Sequence, residues 1–281
     1  MNIYSFIFIF LCYTGKYLYP RFHKHYLKLQ NLTGRLCCGF LNEEQRIIHG
    51  IDTNINLVPY MLSLRINNVH VCCAAIINAK WAVTAAHCLK ATEYPLKEIT
   101  LCSGSSVLYK NCTVHNIANF SIHENYDSRI NDFDIAVVKV IPAFTYNDHT
   151  KAVNLASNGY IHTKWGIICG WGYYLKFHDF VEPVLSKNLQ CAVVPRINKW
   201  TCQSYYTNRY ILTPRMTCYG FHEGGIDACQ GDSGGPIVSN DNILLGITSW
   251  GDGCAEQNSP GVYTDTIVLR HWIRHKIGIY T

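Results

Sequence analysis

The 281-residue chain is 48% hydrophobic and 15% charged, enough apolar content for a sizeable core and too little charge for a disordered polymer. Its formal net charge of +5 is concentrated at one end: residues 16–46 carry six basic residues against Glu43 and Glu44, a net of +4, which leaves +1 for residues 47–281. A near-neutral body gives no argument for nucleic acid as a partner, and no internal repeat, low-complexity run or phosphate-binding glycine loop is present.

Fourteen cysteines point to an oxidising compartment. Ile3–Cys12 is an apolar run followed by Tyr13, Thr14 and Gly15, the length of a signal-peptide core and too short to span a bilayer, although no Lys or Arg precedes it. Residues 1–15 are therefore expected to be a signal peptide, and the mature protein to be secreted, extracellular and free of a membrane segment. Residues 16–46 are basic and aromatic without clear period, ending Glu43-Glu44-Gln45-Arg46 before Ile47-Ile48-His49-Gly50. One reading is a linker. The other is a propeptide cut after Arg46, which frees the α-amino group of Ile47. A buried ammonium needs a carboxylate beside it, and Asp232 is the candidate. Asn31-Leu32-Thr33, Asn111-Cys112-Thr113 and Asn119-Phe120-Ser121 are glycosylation sequons.

In the next stretch, apolar residues at Val58, Tyr60, Leu62 and Leu64 alternate with period two and predict a half-buried strand. His70–Ile77 and Trp81–Thr84 read as short strands, and Thr84-Ala85-Ala86-His87-Cys88 puts a histidine among small residues at the end of one. A lone His beside a Cys is commonly structural, and no second ligand stands here at zinc spacing. Ile99–Ser103 and Thr113–Asn119 read as a hairpin with Cys102 and Cys112 flanking its turn. Asp134 opens the apolar strand Ile135-Ala136-Val137-Val138; alone, such an Asp is more often a strand cap than a catalytic group.

Further on, Gly166–Gly172, Asn188–Val194, Ile243–Trp250 and Pro260–Thr264 read as strands and Cys202–Tyr206 as a short helix. Val268, Leu269, Trp272, Ile273 and Ile277 fall at helical spacing and predict a C-terminal helix with one apolar face. Short strands between frequent turns argue for all-β barrels or sandwiches. Asp227–Pro236 reads D-A-C-Q-G-D-S-G-G-P, where glycines beside Ser233 fit either an ordinary turn or a loop presenting a hydroxyl next to free N–H donors.

A serine hydroxyl becomes a nucleophile only with a base beside it and a partner that fixes the base's tautomer. His87, Asp134 and Ser233 occur in that order, and the motifs around them are Arg46-Ile47-Ile48-His49-Gly50, Thr84-Ala85-Ala86-His87-Cys88, Asp134-Ile135-Ala136-Val137, Gly170-Trp171-Gly172, Gly231-Asp232-Ser233-Gly234-Gly235-Pro236, Ser249-Trp250-Gly251 and Pro260-Gly261-Val262-Tyr263. On these motifs residues 47–281 resemble a trypsin-like serine protease of the chymotrypsin fold. The resemblance implies an all-β fold: two six-stranded antiparallel β-barrels at about 47–160 and 161–265, a cleft between them, and a C-terminal α-helix at about 266–278.

It further implies His87 as general base, Asp134 as its orienting partner, Ser233 as nucleophile, and the N–H groups of Gly231 and Ser233 as oxyanion hole. Ser249 is expected to bond Asp134, and Asp232 to receive the Ile47 amine after cleavage at Arg46. The position of Asp227 implies the floor of the primary specificity pocket, lined also by Ala228, Ser249, Gly251 and Gly261; a carboxylate there selects Arg or Lys, and the absence of a hydroxyl at Ala228 favours Arg. The implied function is a secreted serine endopeptidase made as a zymogen and working as a monomer, with no metal or other cofactor. Expected partners are substrates with Arg or Lys at the cleaved bond, protein protease inhibitors, and an activating protease or the enzyme itself. The competing class is a protease-like binding or regulatory protein that is catalytically weak or inactive.

The resemblance implies disulfides Cys72–Cys88, Cys202–Cys218 and Cys229–Cys254; hairpin spacing suggests Cys102–Cys112. Cys73, Cys169 and Cys191 are then left in the mature chain, so at least one free or intermolecular thiol is expected, with Cys37 or Cys38 as further candidates for pairing. Many relatives bridge the Cys191 position to a cysteine near the N-terminus, where this chain has Thr53. Relatives usually carry two glycines where Cys73-Ala74 stands, a place where side chains could crowd the primed side of the cleft. A family calcium loop would fall within residues 102–112, which contain no Asp or Glu, and no calcium site is expected.

Overall fold

The computed structural model describes residues 50–90, 94–174, 184–207 and 209–279. The signal-peptide and propeptide readings, Arg46, Ile47, Cys37 and Cys38 all lie outside the described residues.

The first barrel closes from β2 (Met61–Ile66), β3 (Val69–Asn78), β4 (Trp81–Thr84), β5 (Ile99–Ser103), β6 (Thr113–Ile122) and β7 (Ala136–Ile141), in the order β2-β3-β4-β7-β6-β5 and back to β2. β2 and β3 are joined by Asn67-Asn68, both at positive φ (50° and 65°), the left-handed pair that a two-residue hairpin turn needs and that Asn tolerates. The alternation over Val58–Leu64 predicted one buried face; instead the strand begins at Met61 and Met61 through Arg65 are all buried, because both faces are covered. Between β4 and β5 lies a single helical turn, α1 (His87–Lys90).

The second barrel is built from β9 (Trp165–Gly170), β12 (Gln190–Ile197), β13 (Met216–Tyr219), β16 (Gly261–Asp265), β15 (Ile243–Trp250) and β14 (Pro236–Val238), each antiparallel to the next, with β14 returning to β9. β1 (Ile51–Asp52) adds to β12 and β8 (Asn154–Leu155) adds in parallel to β15, while β10 (Tyr173–Tyr174) and β11 (Val184–Leu185) form a small separate ribbon. α2 (Lys199–Tyr205) is capped by the Asn198 side chain, which accepts from Thr201 N–H at 2.9 Å. The all-β, two-barrel fold with a C-terminal helix is thus as the sequence implies.

That helix, α3 (Arg270–Lys276), is shorter than the 266–278 expected. It follows the second barrel but packs on the first: Trp272 stacks on His123 with ring centroids 4.8 Å apart and donates its Nε1–H to Glu124 at 2.7 Å, and Lys276 pairs with Glu124. A second tie crosses between the barrels at Asp132. Its carboxylate accepts from Thr213 Oγ1 at 2.7 Å and from Arg215, whose guanidinium also lies 4.5 Å over the Phe133 ring. Burial pushes the Asp132 carboxyl up, but the Arg215 and Thr213 bonds outweigh it and its net shift is downward, so the stability it contributes is present above the ordinary carboxylate range and lost as pH falls through it.

Asp132→Ala leaves Arg215 and Thr213 without their acceptor. The loss expected in urea denaturation is about 1–3 kcal/mol, below the ~3–5 kcal/mol for a fully buried pair because the guanidinium is partly solvated.

Candidate active site

β4 ends at Thr84, and the fully buried Ala85 and Ala86 let the chain turn tightly into α1, so that His87 leaves the barrel at its rim. Asp134 sits just before β7. Its side chain is 0% exposed and accepts three hydrogen bonds: from His87 N–H at 2.9 Å, from His87 Nδ1 at 2.7 Å and from Ser249 Oγ at 2.6 Å. A carboxylate so buried must be satisfied in this way. Its backbone carbonyl is held as well, by Thr264 Oγ1 at 2.8 Å. With Nδ1–H committed to Asp134, a neutral His87 presents Nε2 as a lone-pair nitrogen. The ring is 29% exposed, and Nε2 lies 3.6 Å from Cys88 Sγ.

The Ser233 loop is fixed through the backbone to the strand that a disulfide joins to α1. Cys73 N–H donates to Ser233 C=O at 2.8 Å, Gly234 N–H to Thr248 C=O at 2.8 Å, and the Cys72–Cys88 disulfide ties α1 to the strand carrying Cys73. Gly234 (φ +78°) packs so closely that a Cβ would overlap Thr84 Oγ1 and the Cys73 carbonyl. The Ser233 hydroxyl makes no hydrogen bond among the described residues, so no Oγ–Nε2 bond is formed there. Across Ala228–Gly235 the described bonds use the N–H groups of Ala228, Cys229, Asp232, Gly234 and Gly235; those of Gln230, Gly231 and Ser233 meet no acceptor among the described residues. Free N–H donors beside a serine are what a developing oxyanion requires.

Asp232 points inward and accepts from Gly172 N–H at 2.7 Å and Cys229 N–H at 3.0 Å. Gly170 and Gly172 leave it room, since a Cβ on either would overlap its carboxylate. Burial pushes its carboxyl up to about 6, partly offset by those two N–H groups, and no cation meets it among the described residues. Asp227, Ala228, Ser233, Ser249, Gly251 and Gly261 line one cavity of about 180 Å³. Asp227 is 3% exposed and accepts from Ala228 N–H at 2.8 Å and Ala255 N–H at 3.5 Å. Burial pushes it up to about 7, against the pull of those two bonds. Gly261 keeps the cavity open, because a Cβ there would stand 2.8 Å from Asp227 Oδ1 and 3.1 Å from Tyr263 Oη, itself buried without a partner among the described residues.

The sulfurs pair as Cys72–Cys88, Cys102–Cys112, Cys202–Cys218 and Cys229–Cys254, plus Cys169–Cys191, which had no assigned partner from the sequence. Cys169 and Cys191 stand directly opposite each other on β9 and β12, so strand register makes the bridge that the absent N-terminal cysteine could not. Cys73 is the free thiol among the described residues. Cys73 and Ala74 are both fully buried. Sγ of Cys72 and Cys88 lie near the His87 ring in a cluster that resembles a metal site, but both sulfurs are bonded to each other and offer no thiolate. Sequence reasoning missed His70, whose Nε2 bonds the Gly231 carbonyl at 2.9 Å, Ser63, which bonds His70 Nδ1 at 2.9 Å, and Thr264. No local pattern marks these residues; only the closed barrels bring them together.

Gly234→Ala forces a side chain onto a left-handed backbone, costing about 1–2 kcal/mol before the overlap with Thr84 is counted. The midpoint of chemical denaturation is expected to fall accordingly, and an unchanged midpoint would mean that the loop can yield.

A family model described as Trypsin matches residues 47–273. The chain is similar to the mouse protein Transmembrane protease serine 11C, at 37% identity over 252 residues, which is 86% of this chain and 57% of that protein. The chain therefore spans a little over half the length of this relative. With the two barrels closed around the Asp134–His87 pair and the Ser233 loop, this match shows that the chain belongs to the trypsin family.

Proposed function

We propose that the chain is a secreted serine endopeptidase, made as a zymogen, that cleaves after Arg in preference to Lys. The observation that carries the reading is a single cavity lined by both Ser233 and the buried carboxylate of Asp227. A cationic side chain bound at Asp227 would lay the following peptide carbonyl beside Ser233, which is proximity catalysis by binding energy.

In this reading His87 Nε2 takes the Ser233 hydroxyl proton as Oγ attacks the carbonyl carbon. The oxyanion is held by the N–H groups of Gly231 and Ser233, and Asp134 stabilises the imidazolium through the Nδ1–H bond. Nε2–H then protonates the leaving amine, and an acyl-enzyme remains. Water repeats the sequence in reverse roles: His87 takes its proton, the hydroxide attacks the ester, and Ser233 is released.

Cleavage between Arg46 and Ile47 would supply a cation for Asp232, which meets none among the described residues. Asp232 ionises more readily once an ammonium lies beside it, and the ammonium holds its proton more tightly, so the ion pair persists below the pH of about 6 at which the unpaired carboxyl titrates and above the ordinary range of a free α-amino group. Asp232→Asn, cleaved after Arg46, is expected to lose activity by about a hundredfold or more, since removing one partner of a buried pair costs ~3–5 kcal/mol. Five disulfides support an oxidising compartment, and no helix of the described residues is long and apolar enough to cross a membrane.

The test is labelling of protein cleaved after Arg46 with a serine-directed covalent inhibitor, followed by peptide substrates. Stoichiometric labelling that is abolished by Ser233→Ala, with Arg turned over faster than Lys, is expected. No labelling would favour the protease-like binding protein, a reading that the unbonded Ser233 hydroxyl keeps in play; preference for Phe or Leu would remove Asp227 from its role. Because Asp227 must be ionised to hold a cation, the Ki of an amidinium inhibitor is expected to rise as pH falls below about 7, approaching tenfold per pH unit. A Ki flat from pH 8 to 5 would contradict it.

A further inference from the structure

Gly231 supplies one of the two N–H groups assigned above to the oxyanion, yet a glycine at φ +96° has little intrinsic reason to keep it aimed. Both peptides flanking its Cα are held from outside. The Gln230 carbonyl, on the same peptide as the Gly231 N–H, accepts from Tyr173 N–H at 2.7 Å. The Gly231 carbonyl receives two donors, His70 Nε2 at 2.9 Å and Cys73 Sγ at 3.5 Å.

The His70 arm has a fixed polarity. A carbonyl only accepts, so Nε2 must carry the proton. Burial, countered by the Gly231 bond and reinforced by the Arg65 charge, lowers His70 to about 4, so above that pH the ring is neutral and Nδ1 has only a lone pair. Ser63 must then donate to Nδ1 at 2.9 Å, and its oxygen accepts Arg65 Nε–H at 3.2 Å. Arg65 is held in turn over the Tyr109 ring at 5.1 Å, while the Tyr109 hydroxyl accepts His70 N–H at 3.0 Å. Every hydrogen in Arg65–Ser63–His70 therefore points toward Gly231.

The Cys73 arm is shorter. The thiol is fully buried, and burial first and the Asp232 charge second push it well above the ordinary thiol range, so it stays an S–H donor and not a thiolate. The same residue donates its N–H to the Ser233 carbonyl at 2.8 Å and accepts Thr84 Oγ1 on its own carbonyl at 2.8 Å. Cys73 thus touches both residues whose N–H groups are assigned to the oxyanion.

We propose that Cys73 and the directed series Arg65–Ser63–His70 are positioning residues that clamp the Gly231 carbonyl from two sides and so hold the Gly231 N–H where the oxyanion forms. The inference rests on the endopeptidase reading. A thiol that merely fills space predicts a different outcome on substitution, because size and not hydrogen-bond donation would then matter.

The experiment compares parent, Cys73→Ala, Cys73→Ser, Ser63→Ala and the Cys73→Ala/Ser63→Ala double variant, each cleaved after Arg46. Melting temperature, kcat, KM, affinity for a peptide aldehyde that forms the tetrahedral adduct, and affinity for benzamidine are measured. Cys73→Ala is expected to lower kcat about three- to tenfold, the size of one modest hydrogen bond, with KM within about twofold. Aldehyde affinity should fall by the same factor and benzamidine affinity should stay. Cys73→Ser should recover most of the loss, and the double variant should lose more than the product of the singles. Unchanged kcat in Cys73→Ala, a loss carried by KM, or equal losses in the Ala and Ser variants would overturn the clamp. If Cys73→Ala does not fold, unchanged kcat in Ser63→Ala overturns it alone. A parent that is neither labelled at Ser233 nor active overturns the endopeptidase reading and the clamp with it, whereas an active parent with indifferent variants overturns only the clamp.

Discussion

A carboxylate with no solvent exposure is the constraint on which the rest of the molecule depends. Asp134 is taken wholly out of water, and leaving it unpaired would cost several kcal/mol. Its three donors come from both barrels: His87 twice from the first, Ser249 from the second. Thr264 of the second barrel also binds its backbone. The solvation of one charge is therefore supplied across the seam, and the barrels cannot slide without exposing that charge to an uncompensated interior. Asp132, two residues earlier, makes a similar cross-barrel tie to Thr213 and Arg215. The alignment of His87 with the Ser233 loop follows from this registration of the two halves.

The other two acids of the site are built differently. Asp227 and Asp232 are as deeply buried as Asp134 but each accepts two backbone N–H groups and meets no cation among the described residues. Burial accordingly outweighs hydrogen bonding and pushes them to about 7 and about 6. Such under-compensated carboxylates are attractive to positive charge by construction. One opens into the cavity shared with Ser233, and the other is enclosed behind it.

Much of this was legible in the sequence because the informative residues are local. Thr84–Cys88 and Asp227–Pro236 carry their chemistry within a few positions. What escaped depends on closure of the barrels. Cys169 and Cys191 become partners only because β9 and β12 pair in one particular register. His70, in a strand of unremarkable pattern, meets Gly231 across 161 residues of sequence. The strand at Met61 lost its expected alternation for the same reason, since the covering of its second face is a tertiary event. Cys73 was visible as a departure, but its direction into the interior was not.

α3 has a consequence for the order in which the molecule can be completed. The wall that Trp272 and Lys276 lay against His123 and Glu124 belongs to the first barrel, yet it is translated after the last strand of the second. A nascent chain emerging from the ribosome with every strand already made still lacks that wall. The first barrel is thus not a finished object by itself, since the partners of His123 and Glu124 exist only when synthesis has passed residue 276.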